Sequence, residues 1–185
     1  IHLLETEQPE EIVDFSLAFD KVLLEFRAGE NAAELAAAWA RWFAALEPLD
    51  ASAAQLHEIP VVYDGADLAE LAARHSLEIA EVVELHCAPV YEVVLLGFSP
   101  GFPYLSGLDP RLHTPRRANP RPHVPAGSVA IGGHHAGIYS IDSPGGWNLI
   151  GTTSTRIFDP ASNGGDEAGM FLLRTGDRVK FVPVR

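Results

Sequence analysis

Cysteine is almost absent: Cys87 is the only one in 185 residues. A single thiol excludes an intrachain disulfide framework and fits a reducing compartment. Basic charge is also scarce. Lys and Arg number 13 against 25 Asp and Glu, leaving a formal net charge of -12. That balance excludes the basic footprint of a nucleic-acid binder. No apolar run is long enough to cross a bilayer and no signal-peptide pattern is present, so a cytoplasmic location off the membrane is expected. Three nucleotide and nucleophile signatures are missing as well: the G-x-x-x-x-G-K-[ST] phosphate loop, the G-x-G-x-x-G fingerprint and the G-x-S-x-G elbow. The chain opens on Ile1 rather than methionine, which leaves room for a preceding segment.

What is present suffices for a core. Hydrophobic residues make up 47% of the chain and charged residues 21%, the balance of a folded domain. Val22 to Phe26 reads as a strand. Asn31 and Glu34 then form a capping pair for a helix carrying Leu35, Trp39, Trp42, Phe43 and Leu46 on one face, ended near Pro48. HEIPVVY from His57 reads as a second strand. Helices are expected over 67–75 and 78–87, the second with Ile79, Val82, Val83 and His86 on one side. Tyr91 to Leu96 is strand-like. From Gly97 to Gly151 the texture changes to Gly- and Pro-rich segments with short apolar runs, the pattern of short strands in constrained loops. Further strands are expected at Arg156–Phe158, Met170–Leu173 and Arg178–Val182, with a surface turn at Asn163–Asp166. The expected fold class is α+β: a small N-terminal α/β domain over residues 1–54, then a compact β-rich domain over 55–185.

Three segments could carry chemistry. In GFSPGFPYL from Gly97, Pro100, Pro103 and Gly101 stiffen the backbone, so Phe98, Phe102 and Tyr104 either wall a pocket or plug a loop. In TPRRANPR from Thr114, Arg116, and less readily Arg117 or Arg121, offers a fixed fork of donors for a carboxylate or phosphate; the other reading is a solvated basic loop. In DSPGGWNLIG from Asp142, backbone N–H groups at Ser143, Gly145 and Gly146 could form an anion nest, with Trp147 and Asn148 as stacking face and polar hook; the other reading is a tight hairpin. Adjacent His134 and His135 on a strand point to opposite faces and lack convergent partners, so no metal site is expected. His86 could act as acid or base, or sit satisfied in the core. Cys87 has no defined base beside it.

The motifs HEIPVVY, LGFSPGFPYLSGLDPRL, TPRRANPR, VPAGSVAIGG, IDSPGGWNLIG and LRTGDRVKFVPV, in this order and spacing, resemble the family of the 5-oxoprolinase B subunit, also called allophanate hydrolase subunit 1 or sporulation kinase inhibitor KipI. The resemblance implies a cyclophilin-like β-barrel for the C-terminal domain. It also implies that the N-terminal domain is shortened by a segment bearing a Gly-Asp-Arg element. The implied activity is ATP-dependent opening of 5-oxoproline to glutamate by a hetero-oligomeric amidohydrolase, the isolated chain being inactive. The implied partners are a larger C-type protein, similar to allophanate hydrolase subunit 2, and an A-type protein. ATP with Mg would serve at the level of the complex, and biotin only if the chain is instead a urea carboxylase-type carboxyltransferase subunit. A third implied role is inhibition of a sensor histidine kinase. Within that frame the expected catalytic residues are Arg116, with His86 or Tyr91 handling a proton. Phe98, Pro100, Gly101, Phe102, Tyr104, Arg117, Ser128, Ser143, Gly145, Gly146, Trp147 and Asn148 are expected to bind substrate or partner.

Overall fold

The structure, a computed structural model, describes residues 12–18, 21–27, 31–45, 54–162 and 167–184. The chain divides into two compact units, 1–52 and 53–185. In the first, strands β1 (Ile12–Ala18) and β2 (Lys21–Phe26) pair antiparallel, and helix α1 spans Ala32–Ala44. Asn31 caps α1 by accepting the Ala33 amide at 3.2 Å. Ile12 and Trp39 form its buried centre, with Phe15, Leu24, Leu35, Trp42 and Phe43 packed around them. β2 and α1 are the elements expected here; β1 is not among them, although Val13, Phe15 and Leu17 alternate with Asp14 and Ser16 as in a half-buried strand. Leu46, Pro48 and the 163–166 turn lie outside the described residues.

The second unit contains strands β3 (Leu56–Val61), β4 (Tyr91–Leu96), β5 (Pro103–Ser106), β6 (Arg121–Val124), β7 (Ser128–Gly132), β8 (His135–Ile138), β9 (Ser143–Gly145), β10 (Asn148–Thr152) and β11 (Arg178–Pro183). Seven of them form one mixed sheet in the order β10-β7-β8-β5-β4-β11-β3, and β6 pairs separately with β9. Paired backbone hydrogen bonds between Val62 and Thr152, 2.9 and 2.8 Å, bring the end of β3 to the end of β10 and nearly close the sheet. The result is α+β with a barrel-like sheet.

Two helices cross from β3 to β4. Helix α2 (Leu68–His75) stops where Ser76 adopts a left-handed conformation, φ 58°, and Leu77 N–H returns to Ala72 O at 2.9 Å. Helix α3 (Ile79–Cys87) starts with a Glu78/Glu81 capping box. Its buried face is Val82, Leu85 and His86; Ile79, expected on that face, is exposed. Two further expectations are corrected. Residues 170–173 do not form a strand: a helical turn, α4 (Glu167–Met170), precedes one bridge between Phe171 and Phe158. The 156–158 segment likewise reduces to that bridge, because Pro160 follows at once and cannot donate to a ladder.

Strands β7 and β8 are buried on both faces. Val129, Ile131, Ala136 and Ile138 face the main core with Ile59, Val93, Leu105 and Phe181. On the other face the residues are small: a Cβ on Gly132 would overlap the Trp147 indole, and one on Gly137 would come within 2.9 Å of Phe102 and 3.0 Å of Trp147. The missing side chains therefore make the seat for a second, aromatic cluster of Phe102, Tyr139 and Trp147 with Ala130, Val124 and Leu149.

Candidate functional site

The aromatic cluster opens into a cavity of about 300 Å³ walled by Phe98, Phe102, Tyr104, Tyr139 and Trp147. Arg116, Arg117, Pro120 and the Pro144–Gly146 segment complete its lining. Phe102 is the hub, in edge contact with Tyr104, Tyr139 and Trp147 at ring separations of 5.2 Å each. Such edge-to-face contacts fix the rings as a preformed wall. Phe98 stands at the mouth, 62% exposed and with φ 74°. A bulky residue held at positive φ costs about 1–3 kcal/mol, which the surrounding contacts must offset. Its loop is fastened: Phe102 N–H donates to Ser99 O at 3.0 Å, Gly97 N–H to Phe102 O at 3.1 Å, and the Ser99 and Ser140 hydroxyls lie 3.3 Å apart.

The polar side comes from the 114–121 loop. The Arg116 guanidinium lies 5.6 Å from the Trp147 ring centroid, a cation–π position. Among the described residues Arg116 makes no ion pair. Its neighbours are held by a carboxylate: Arg117 and Arg121 both reach Asp67 Oδ1, at 2.7 and 2.6 Å, while Arg117 Nε and Arg121 Nη1 are buried without a hydrogen-bond partner. The loop is pinned at both flanks. Asn148 Nδ2 donates to Pro115 O at 3.0 Å and Ile131 O at 3.1 Å, and Arg117 N–H donates to Gly146 O at 2.7 Å. Burial pushes the Tyr139 phenol up; a backbone hydrogen bond from Trp147 and the charges of Arg116 and Arg121 oppose it without cancelling it.

The structure thus brings Phe98, Phe102, Tyr104, Arg116, Arg117, Gly145, Gly146 and Trp147 to one cavity. It does not bring His86 and Tyr91 there. Both are 0% exposed in the main core. His86 Nδ1 lies 2.7 Å from Tyr63 Oη, its ring stacks on Phe181 at 4.5 Å, and Tyr91 Oη donates to the His86 carbonyl at 2.8 Å. Burial holds the His86 imidazole down to about 3, so it stays neutral, and pushes Tyr91 upward. Burial also raises the Cys87 thiol. Enclosed groups of this kind cannot pass protons to a ligand in the cavity. Pro100 and Gly101 lie behind the Phe98 loop in a different hollow, with Phe171. Ser128 Oγ is spent on Pro125 O at 2.8 Å. Ser143 and Gly145 belong to β9, paired with β6; neither Gly145 nor Gly146 has positive φ, and Ser143 Oγ is buried without a hydrogen-bond partner. Asn148 acts as the loop's fastener. His134 is exposed and His135 buried. Among the described residues no group of three or more His, Cys, Asp or Glu is placed to hold a metal ion.

Sequence reasoning missed Tyr139 and Asp67. Tyr139 ends an ordinary-looking apolar run, and Asp67 reads as a helix cap. The only signal for either was its place beside a motif residue in the fold.

Fold and cavity together define an α+β domain with a barrel-like sheet and an aromatic-walled cavity bordered by Arg116, a guanidinium with no ion pair among the described residues. The family model of the carboxyltransferase domain, subdomain C and D, matches residues 1–165. The chain belongs to this family. It is 54% identical over 146 residues to the 5-oxoprolinase B subunit of Escherichia coli O157:H7, covering 77% of this chain and 64% of that protein. The crystal structure of TTHA0988 matches with a TM-score of 0.79 at 39% identity, over 99% of this chain and 34% of that one. The conserved uncharacterized protein PH0987 from Pyrococcus horikoshii matches with a TM-score of 0.65 at 37% identity, over 99% and 83%. The chain therefore spans less than two thirds of the E. coli relative's length.

Proposed function

We propose that this chain is the B-type component of an ATP-dependent 5-oxoprolinase and that the Phe98–Trp147 pocket receives the lactam. The observation that carries the reading is the 54% identity with the E. coli protein. The pocket's chemistry supports it. 5-Oxoproline is a small five-membered ring with one carboxylate. Aromatic walls cover the ring, and Arg116 supplies the fork of donors that a carboxylate accepts. In the reaction one water adds across the lactam C–N bond to give glutamate, and a second ends on the phosphate released from ATP with ADP.

None of the lining residues is a carboxylate, histidine, serine or cysteine, and burial pushes the Tyr139 phenol in its wall above the usual tyrosine value, away from proton exchange at neutral pH. This chain accordingly binds, orients and excludes water, while proton and phosphoryl transfer fall to a larger C-type partner, with an A-type protein completing the complex. ATP and Mg are met on those partners, the isolated chain is inactive, and the assembly is cytoplasmic. Within this reading residues 55–185 form the cyclophilin-like domain. The test is glutamate formation from 5-oxoproline and ATP by the co-expressed complex, omitting each component in turn. Loss of turnover when this chain is left out supports the role; full turnover without it refutes it.

A second reading has its own observation, the family's description as a carboxyltransferase domain. It would place a biotin-carried carboxyl and an amide acceptor at the same pocket. Biotin-dependent carboxylation of urea by the assembled complex, with no 5-oxoproline turnover, would favour it.

A further inference from the structure

Asp67 sits at the N-terminal end of α2, yet its carboxylate does not cap that helix. It is 3% exposed and accepts three hydrogen bonds from elsewhere: Arg117 Nη1 at 2.7 Å, Arg121 Nη2 at 2.6 Å, and the Leu149 amide at 2.7 Å. Its own amide returns to Leu149 O at 2.9 Å. One residue thus ties three segments together: the helical crossover, the arginine loop and the start of β10. Burial alone would raise this carboxyl. The hydrogen bonds from Arg121 and Leu149, with the charges of Arg121 and Arg117, outweigh burial and hold it below the ordinary aspartate value, so it is ionised at neutral pH.

The loop brings two guanidiniums, Arg116 and Arg117, into the lining of a cavity just large enough for a small molecule, and the Arg121 charge stands close enough to act on Tyr139 in its wall. Left unopposed, three cations would select the most highly charged anion available. Asp67 pairs with two of them but cancels one positive charge; Glu70, 3.6 Å from Arg117, cancels a second, so three guanidiniums against two carboxylates leave a net charge of one. Arg116, lying over Trp147, keeps its donors for a ligand.

We infer that Asp67 is a positioning and specificity-determining residue: by pairing with Arg117 and Arg121 it holds both guanidiniums in place and lowers the positive charge beside the pocket, so that the site takes a compact monoanion in preference to a dianion. The inference rests on the reading of the pocket as the 5-oxoproline site and adds to it a charge filter. 5-Oxoproline carries one negative charge, whereas glutarate, of the same carbon count, carries two. Removing the Asp67 charge raises the local balance by one unit; removing the Arg121 charge lowers it by one.

The test is calorimetric titration of the assembled complex with 5-oxoproline and with glutarate, for wild type, Asp67→Asn, Arg121→Gln and Arg116→Ala. Asp67→Asn shifts the ratio of the two dissociation constants toward glutarate by about five- to tenfold, the scale of one unit charge in a half-wet site. Arg121→Gln shifts it the opposite way. A merely structural Asp67 would weaken both ligands alike. If Asp67→Asn does not fold, Arg121→Gln carries the test alone. An unchanged ratio in the folded variants, with Arg116→Ala still weakening 5-oxoproline binding about 10- to 100-fold, overturns the charge filter and leaves the pocket assignment standing. A wild-type complex that binds no 5-oxoproline removes that assignment, and the filter falls with it.

Discussion

Trp147 and Phe98 border the same cavity but belong to opposite energetic regimes. Trp147 is 5% exposed and packs on Phe102, so Trp147→Ala should cost about 3–5 kcal/mol in denaturant unfolding. Phe98 is mostly solvent-facing, and its positive φ is already strained. Phe98→Ala should leave stability within about 0.5 kcal/mol, as surface changes do. It should still raise the KM for 5-oxoproline about tenfold, because ligand burial of that ring is lost. Comparing a melting curve with a substrate titration separates the two residues. The buried histidines give a third expectation. His86 is held down to about 3 by burial, and His135 to about 4 by burial first and then by the charges of His134 and Arg116. Both values lie below the ordinary 6.5, so the unfolded state binds protons first as pH falls. Stability is complete above about pH 6.5 and drains below it, at about 1.4 kcal/mol per pH unit for each histidine, until the folded values are reached. Unfolding free energies measured between pH 7 and 4 should follow that slope, and His135→Gln should make it shallower.

At the scale of elements, the β7–β8 hairpin decides where the pocket can exist. Its Val129 and Ile131 fill the main core, while Ala130, Gly132 and Gly137 recede on the far side to admit the aromatic rings. Gly132→Ala should therefore destabilise by about 1–3 kcal/mol through overlap with Trp147, read as a lowered denaturation midpoint with unchanged slope. The two crossover helices and the strands at 91–96 and 178–183 were legible in the sequence, because caps, apolar period and turn residues agree there. Residues 156–158 and 170–173 were not. Each has the apolar run of a strand, but Pro160 and a single helical turn leave room for only one bridge. The burial of β7 and β8 on both faces was also hidden, since SVAIG alternates large and small rather than apolar and polar.

For the whole molecule, the pocket gathers residues from Phe98 to Trp147 onto one face, and Asp67 anchors it from a helix outside that stretch. The motif blocks pointed to three of its loops, but proximity in sequence could not tell which polar groups converge. His86 and Tyr91 look chemically capable and are sealed in the core; Arg121 looks like a ligand and is spent on Asp67. Arg116 is left as the group on which the account turns. The most direct test is steady-state 5-oxoproline turnover by the reconstituted complex carrying Arg116→Ala, with assembly checked by size-exclusion chromatography. Loss of a charged hydrogen-bond pair predicts a KM raised about 10- to 100-fold in an intact complex. An intact complex with unchanged KM would contradict the pocket as the substrate site.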